Sequence, residues 1–396
     1  MRDSFISYIR AGEKTEHSSS LGVEAEHFIV YKADRRAVPY AGDYGVRDIL
    51  KDLAGSYEDS RLSFGEDLLG FDTADFSITI EPAAQLEIGT RQTDDIDTIA
   101  GIYGNFRKKL DDILEMHDME VLSLGCQPVS RVDDLALIPK ERYRIMDRHF
   151  ASIGDGGRQM MRGTASTQVS IDFYCEEDFR KKVQAAYFFT PLFYLISDRC
   201  REFERKKLDS HIKRADIWNR TDPDRCGIIP GVFKRDFGYG DCADFYLNMP
   251  LVVLPEGDRL IYTKETARAL FDAGRISASD IPHIISMAFT DVRPKQYVEI
   301  RAADCMTPEG IYAYCALIKG LIYSNEVLEG VQEELVKKNI SEEDFRASLE
   351  SLKKHGFEGR IYGEDARTFA QRALSAARNN LSEHDNDYLG GFDFLG

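Results

Sequence analysis

Five short segments of the chain alternate polar and apolar residues with a period of two, the pattern of a strand packed on one face only. In Leu21–Val30, Glu24 and Glu26 share a face opposite Val23, Ala25 and Ile29. In Gln85–Gly89, Gln85 and Glu87 oppose Leu86 and Ile88. Thr167–Phe173 sets Gln168, Ser170 and Asp172 against Val169, Ile171 and Phe173. Asp244–Met249 sets Asp244, Tyr246 and Asn248 against Phe245, Leu247 and Met249. Tyr297–Ala302 sets Tyr297, Glu299 and Arg301 against Val298, Ile300 and Ala302. Helices are expected between the strands over 43–55, 93–117, 139–150, 176–207 and 264–274. Beyond residue 307 the pattern is helical, with Pro308 near one start and Ser341, followed by Glu343 and Asp344, marking another. Residues 1–20 read as a short helix and a polar link, and Ser382–Gly396 as a loosely held tail.

A sheet with one merely solvated face tends to mix lysine, threonine and both charges. Here carboxylates recur on strand after strand, and stacked side by side they repel unless cations lie between them. Glu24 and Glu26 are two apart, which puts their Cβ atoms about 6.5–7 Å apart on one face. That spacing suits carboxylates gripping neighbouring divalent ions. Mg²⁺ takes oxygen ligands and commonly bridges protein carboxylates to nucleotide phosphates. Glu81, Glu87 and Glu299 are the candidates to complete such a cluster.

The formal charge of −17 excludes broad nucleic-acid binding, which needs a basic field, but leaves room for a nucleotide in a local basic pocket. Seven cysteines occur without a CxxC pair, so zinc knuckles and thioredoxin-type chemistry are not expected. Their odd number and wide spacing read as free thiols in a reducing compartment. The first residues, MRDSFISYIRAGEK, lack the apolar core of a secretion signal. The longest nearly apolar run, Ala185–Ser197, contains Pro191 and is too short to span a bilayer. The expectation is a cytoplasmic protein without membrane or nucleic-acid partners.

The chain has neither a GxxxxGK[ST] loop nor a GxGxxG turn after a strand, so phosphate binding must come from metals and scattered arginines. Gly154-Asp155-Gly156-Gly157-Arg158 is the one glycine-rich loop beside a basic residue, and reads first as a turn. Arg199–Arg214 is rich in basic residues and reads as a solvated helix face, with Arg214 set apart.

Five blocks, in order, resemble the glutamate–cysteine ligase (γ-glutamylcysteine synthetase) family of plant and alphaproteobacterial type. They are Gly22–Phe28 (similar to GTExEKF), Thr79–Glu87 (TLEPGGQxE) and Met160–Phe173 (MMRxTxxxQxNxDF). The others are Arg214 through Trp218, Thr221, Asp222 and Arg225 (RxxxWxxTDxxR), and Val292–Asp304 (VRxxxYxExRxAD). Two departures stand out: His27 replaces the family's lysine, and Ala83-Ala84 its Gly-Gly.

The resemblance implies an α+β fold, a curved antiparallel sheet with surrounding helices, glutamine-synthetase-like. It implies a catalytic ligase domain over 21–325, preceded by the 1–20 segment and followed by a helical region, 326–396, packed on the same domain. Glu24, Glu26, Glu81, Glu87, Gln168 and Glu299 match metal-binding positions for Mg²⁺, or Mn²⁺. Arg301 matches a catalytic position at the reacting phosphate, with Glu299 beside it. Arg162, Thr164, Arg214 and Trp218 match the substrate region. The implied activity is ATP-dependent joining of the glutamate γ-carboxylate to the cysteine amine through a γ-glutamyl phosphate, the first step of glutathione biosynthesis. Alternatives are a related ligase with another amine acceptor, or a catalytically silent Mg-nucleotide-binding protein. The partners are small molecules, and the protein is expected as a monomer or homodimer. No protein thiol is needed, and His27, pointing away from the glutamates, reads as a packing residue.

Overall fold

The computed structural model describes residues 1–16, 18–63 and 67–395. Among them, nine strands build the main sheet: β1 Leu21–Tyr31, β2 Arg61–Ser63, β3 Gly70–Asp72, β4 Phe76–Ile80, β5 Leu86–Thr90, β6 Met119–Leu122, β7 Ser166–Ile171, β8 Val292–Pro294 and β9 Val298–Asp304. Their spatial order is β8-β9-β7-β1-β5-β4-β3-β2, with β6 joined to the end of β1, and every pairing is antiparallel. The register slips between Ile300 and Ala303 where β9 meets β7. The α+β class with an antiparallel sheet is the one expected from the sequence.

The helices are α1 Arg2–Arg10, α2 Val46–Gly55, α3 Ile96–Glu115, α4 Glu141–Ala151, α5 Gly156–Gly163, α6 Glu176–Ser197, α7 Lys213–Asn219, α8 Tyr239–Asn248, α9 Ala267–Asp272, α10 Ile281–Ile285, α11 Pro308–Ile322, α12 Asn325–Lys337, α13 Glu342–His355, α14 Ala366–Asn379 and α15 Glu383–Asp387. Capping residues fix several starts. The Asp95 carboxylate accepts from Asp97 N and Thr98 N, Thr307 Oγ1 accepts from Gly310 N, and Ser341 Oγ accepts from Asp344 N. Helix α6 lies across β9, α3 against β5 and α11 against β7. The apolar strand faces therefore meet helices. Leu21, Val23 and Ala25 of β1, Leu86 and Ile88 of β5, and Val169 and Ile171 of β7 are fully buried in one continuous core. Helix α6 tolerates Pro191 inside it. The proline has no N–H for the Tyr187 carbonyl, and the Tyr362 hydroxyl donates to that oxygen instead, at 3.5 Å.

Three expectations fail. Asp244–Asn248 belongs to helix α8, with Met249 just past its end, and not to a strand. Its buried residues, Tyr239, Cys242, Ala243, Tyr246 and Leu247, follow helical spacing, and the Asp241 carboxylate caps the start by accepting from Gly238 N at 2.9 Å. Alternation over six residues could not tell the two periods apart. The helix expected over 176–207 stops at Ser197. Asp198 is extended, and a hairpin of Glu202–Phe203 and Lys206–Lys207 follows. The tail expected loose over Ser382–Gly396 is packed, Gly396 itself lying outside the described residues. Leu389, Phe392 and Leu395 are buried, and Lys319 of α11 bonds Asp385 at 2.9 Å. Likewise α1 buries Phe5 and Ile9, though His17 in the link after it lies outside the described residues. Among the described residues, no helix is long and apolar enough to cross a membrane.

Candidate active site

The register of the sheet turns separate polar faces into one row. On β1, Glu26 stands directly opposite Glu87 of β5, and Glu24 opposite Gln168 of β7. On β4, Thr79 stands opposite Glu87 and donates to its Oε1 at 2.8 Å. Directly opposed residues of an antiparallel pair have Cβ atoms about 4.5–5.5 Å apart, and like charges so placed repel. Glu81 joins the row from the turn after β4. There Glu81 N donates to Gln85 O at 2.8 Å, and Ala84 takes a left-handed φ of +67°. The Gln85 side chain braces the turn. Its Oε1 accepts from Ala83 N at 2.9 Å, and its Nε2 donates to Thr164 O at 3.0 Å and Met161 O at 3.3 Å.

The four half-buried carboxylates line one cleft of about 360 Å³. In three of them burial first, then repulsion from neighbouring carboxylates, disfavours the charge. Glu24 is raised by burial and by Glu299, Glu81 is pushed up to about 7 by burial and Glu26, and Glu87 is raised well above the usual range by burial and Glu81. Glu26 is the best satisfied, accepting from Ser166 N at 2.8 Å and Gln168 Nε2 at 3.1 Å. Among the described residues, Glu24 and Glu81 have no side-chain hydrogen bond or ion pair.

Glu299 is placed differently. It is fully buried and held by three cations: Arg293 Nε at 2.6 Å, Lys295 Nζ at 2.6 Å and Arg301 Nη1 at 2.9 Å. Burial alone would raise its pKa. Arg293, then Lys295 and Arg301, outweigh burial and hold it well below the usual carboxylate range. Both oxygens are occupied, so Glu299 serves here as the counter-ion of a cationic nest and not as an open member of the acidic row. Arg301 reaches from that nest to Gln168 Oε1. Arg293 and Arg301 both line the cleft, facing the acidic wall.

The sequence profile of glutamate–cysteine ligase family 2 matches residues 20–388. The chain belongs to this family. A chloroplastic glutamate–cysteine ligase of Arabidopsis thaliana is 26% identical over 338 residues, 83% of this chain. The A form from Oryza sativa subsp. indica is 25% identical over 341 residues, 84% of this chain. This chain spans 64% of the Arabidopsis protein's length and 68% of the rice one's. A glutamate–cysteine ligase from Francisella tularensis, solved in complex with AMP, superposes with a TM-score of 0.52. The match covers 95% of this chain and 82% of that one at 11% identity, and shows a shared fold.

The family's substrate positions divide in two. Thr164 and Trp218 line the cleft. The Trp218 indole N–H is buried without a partner among the described residues, a donor left for a ligand. Thr164 Oγ1 is turned back onto Met160 O at 2.7 Å. Arg162 and Arg214 are not among the lining residues. Arg162 donates to Leu135 O at 2.8 Å and to Asp147 Oδ1 at 2.5 Å, tying α5 to α4 and the loop before it. Arg214 is 2% exposed and donates to the Arg301 and Ala302 carbonyls at 3.1 Å each. It braces β9 from behind, so its link to the site runs through Arg301.

Three cleft residues escaped the sequence reading. Lys140 and Arg142 flank the start of α4, and Tyr143 follows them. Two basic residues at a helix start read as solvated surface, and no spacing signalled otherwise. Arg142 donates to Ser286 Oγ at 2.8 Å, and burial lowers its pKa. Lys140 Nζ lies 4.8 Å from the Tyr143 ring centre and makes no ion pair among the described residues. The family's two departures are absorbed locally. His27 is wholly buried, with Nδ1 3.1 Å from Leu86 O and Nε2 2.6 Å from the Tyr103 hydroxyl. A carbonyl only accepts, so Nδ1 carries the proton and Tyr103 donates to Nε2. Burial, then Arg107, pushes its pKa down to about 3. Ala84 holds the strained φ that a glycine would take freely, under the brace of Gln85. The Gly154–Arg158 loop forms the turn into α5, packed on Phe150 and Arg220.

The acidic row offers only oxygen donors, two of its carboxylates lack partners, and its repulsion calls for cations. In those respects it fits divalent metal. Among the described residues, no three acidic, histidine or cysteine side chains are drawn together as a ready-made metal cage.

Proposed function

We propose that this chain joins the γ-carboxylate of glutamate to the amine of cysteine at the expense of ATP. The observation that carries the proposal is the pairing, in one cleft, of an acidic row with a cationic set of Arg293, Arg301, Lys140 and Arg142, in a member of the glutamate–cysteine ligase family. A carboxylate acylates poorly. Its oxygen therefore attacks the γ-phosphorus of ATP, forming an acyl phosphate and releasing ADP. The amine then attacks the acyl carbon, the C–O bond to phosphate breaks, and the amine proton is lost as phosphate leaves. Glu24, Glu26, Glu81 and Glu87 would hold Mg²⁺. When bound, the metal neutralises charge on the nucleotide phosphates.

The chain's own groups act on the same charge. Arg301, fixed between Glu299 and Gln168, presents a guanidinium whose position needs no reorganisation when the phosphoryl group moves. Arg293 is fixed by Glu299 and by the Ala288 carbonyl at 3.1 Å. Lys140 and Arg142 also line the cleft, make no ion pair with a carboxylate among the described residues, and would meet the nucleotide phosphates. The Trp218 N–H and the Met146, Met160 and Phe289 side chains form the less polar wall suited to the acceptor. The seven free cysteines suit a reducing compartment such as cytoplasm.

The test is ADP release with glutamate and ATP, with cysteine and a panel of other amines as acceptors, and the product identified by mass spectrometry. Release with cysteine and a product of γ-glutamylcysteine mass is expected. Release only with another amine would move the protein to a different acceptor, and nucleotide binding with no product would make it catalytically silent.

A further inference from the structure

The basic stretch Arg199–Arg214, expected as a solvated helix, turns at its centre through Glu204 and Arg205, between the two-residue strands at 202–203 and 206–207. Both turn residues are left-handed, with φ of +50° and +62°. Two-residue turns of this hand are the place for asparagine and glycine, and other side chains are strained there. Glu204 has a local reason to be present, because its Oε1 accepts from Val132 N at 2.8 Å. Arg205 has none that uses its side chain. Its backbone N–H donates to Pro128 O at 2.7 Å, a bond that glycine would make equally well. The exposed guanidinium makes no hydrogen bond or ion pair among the described residues. Strain kept for the sake of an unpartnered side chain is the kind of outlier that points to function.

That side chain lines a cavity of about 670 Å³ together with Arg36, from the turn after β1, and Arg131. Arg131 is unpaired among the described residues, while Arg36 Nε donates to Asp34 at 2.6 Å. Asp34 also feels Arg205, more weakly. Among the described lining residues, Asp134 is the one carboxylate. In a chain of net charge −17, three arginines from three separate segments line one space, with Asp134 the one acid of its lining and Asp34 already paired to Arg36 beside it. The frame beneath them is preformed. Gln127 is fully buried, and its Oε1 accepts from Val129 N at 2.6 Å and Ser130 N at 3.0 Å. Ser130 Oγ in turn accepts from Ala37 N at 2.9 Å, locking the Arg36 segment to the Arg131 loop. Between the arginines the walls are apolar, with Val38, Pro39 and Leu135.

We propose that this cavity is a second ligand site, for a small polyanion that carries at least two clustered phosphate or carboxylate charges. Guanidinium forks match phosphate and carboxylate alike, and a rigid frame spares the cost of ordering them. The site is distinct from the catalytic cleft but shares a wall with it. Ala83 lines the cavity, while Glu81, Pro82 and Gln85 of the same turn line the cleft. An occupant would press on the turn that presents Glu81, so the site is placed to report a metabolite to the catalytic centre.

Isothermal titration calorimetry on the full chain, in metal-free buffer, tests this with two probes, inorganic pyrophosphate and citrate. Saturable binding of at least one is expected, and the tighter of the two tells phosphate from carboxylate recognition. R131Q and R205G should each weaken it about tenfold or more, the scale of one lost charge-assisted contact. E87Q, in the catalytic cleft, should leave it unchanged. R205G should melt no lower than the parent chain, because glycine relieves the left-handed turn. Absence of binding by both probes, binding indifferent to R131Q and R205G, loss of binding in K140A, whose lysine lines the catalytic cleft and not this cavity, or a lower melting temperature of R205G would each overturn the proposal.

Discussion

Asp304, the last residue of β9, offers a clean test of the electrostatics, because it is 1% exposed and lies outside the cleft lining. Burial, countered only in part by Arg214, pushes its carboxyl from 3.8 up to about 8. The Cys200 thiol donates to its Oδ2 at 3.7 Å. Gly125 closes over it so tightly that a Cβ there would fall 2.1 Å from Cγ. A group whose folded pKa lies above its unfolded one stabilises the fold fully only below the unfolded value, and that stability drains away as pH rises to the folded value. The window here is therefore about pH 4 to 8. At 1.36 kcal/mol per unit, this one carboxyl should cost the protein roughly 3–4 kcal/mol between pH 5 and pH 8. Asp304→Asn keeps the shape and an oxygen for the thiol but cannot ionise. Urea denaturation at pH 5, 6, 7 and 8 should show the parent losing stability with pH relative to D304N, the gap widening by roughly 3–4 kcal/mol across the series. Parallel curves for the two proteins would mean that Asp304 is already ionised in the fold, and the argument from burial would be wrong.

Glu299→Gln should destabilise the fold by roughly 3–5 kcal/mol, read as a fall in melting temperature, because three buried cations lose their counter-ion. Glu87→Gln should do the reverse in metal-free buffer at pH 8, raising the melting temperature by relieving repulsion against Glu26 and Glu81, while ligase turnover is lost. An unchanged rate in that variant, or in Glu24→Ala, would remove the acidic row from catalysis. Lys140→Ala should cut kcat/KM for ATP by about tenfold to a hundredfold with little change in stability, since its ammonium makes no ion pair and loses only the Tyr143 ring contact and a longer-range attraction to Glu81; unaltered kinetics would show that it faces only solvent.

The first strand was legible because its alternation runs over about ten residues, too long to fit a helix. Val23, Ala25 and Ile29 point inward as read, and Glu24 and Glu26 to the other face. Asp244–Met249 misled because six residues of alternation also fit the buried spacing of Cys242, Ala243, Tyr246 and Leu247. Which strands are neighbours is a long-range fact that periodicity cannot contain. Glu26 meeting Glu87 follows only from the order β7-β1-β5. Glu299 shows the same limit at a finer scale. Its face was read correctly, yet its partners, Arg293 and Lys295, come from the neighbouring strand and the turn into its own. Lys140 and Arg142 left no trace at all, since a basic residue at a helix start looks the same over solvent as over a cleft. Arg162 and Arg214 matched family positions, but a match of position says nothing about whether a guanidinium faces ligand or backbone carbonyl, and here both face carbonyls.

The two halves of the cleft carry opposite and unbalanced charge, and that imbalance makes a last prediction. On one side four glutamates crowd without an ion pair among the described residues, and the raised pKa values of Glu24, Glu81 and Glu87 record the strain. Against it, three cations share the single carboxylate of Glu299, and Lys140 and Arg142 feel Glu81 but make no ion pair among the described residues. A metal ion alone relieves the first side and leaves the second in surplus. A free nucleotide relieves the second and sets its phosphates against the first. Only the two together satisfy both, so their binding should be mutually favourable, and by linkage each should tighten the other by the same factor. Coupling of about 1–3 kcal/mol, or roughly 5- to 150-fold, is the usual range for such dependence. Titration of a non-hydrolysable ATP analogue with and without Mg²⁺ measures it, and the dependence should collapse in Glu24→Gln or Glu87→Gln, where the acidic side is already relieved. Equal affinity with and without metal, in the parent chain, would mean that the acidic row does not face the phosphates, and the charge argument for the cleft would fail with it.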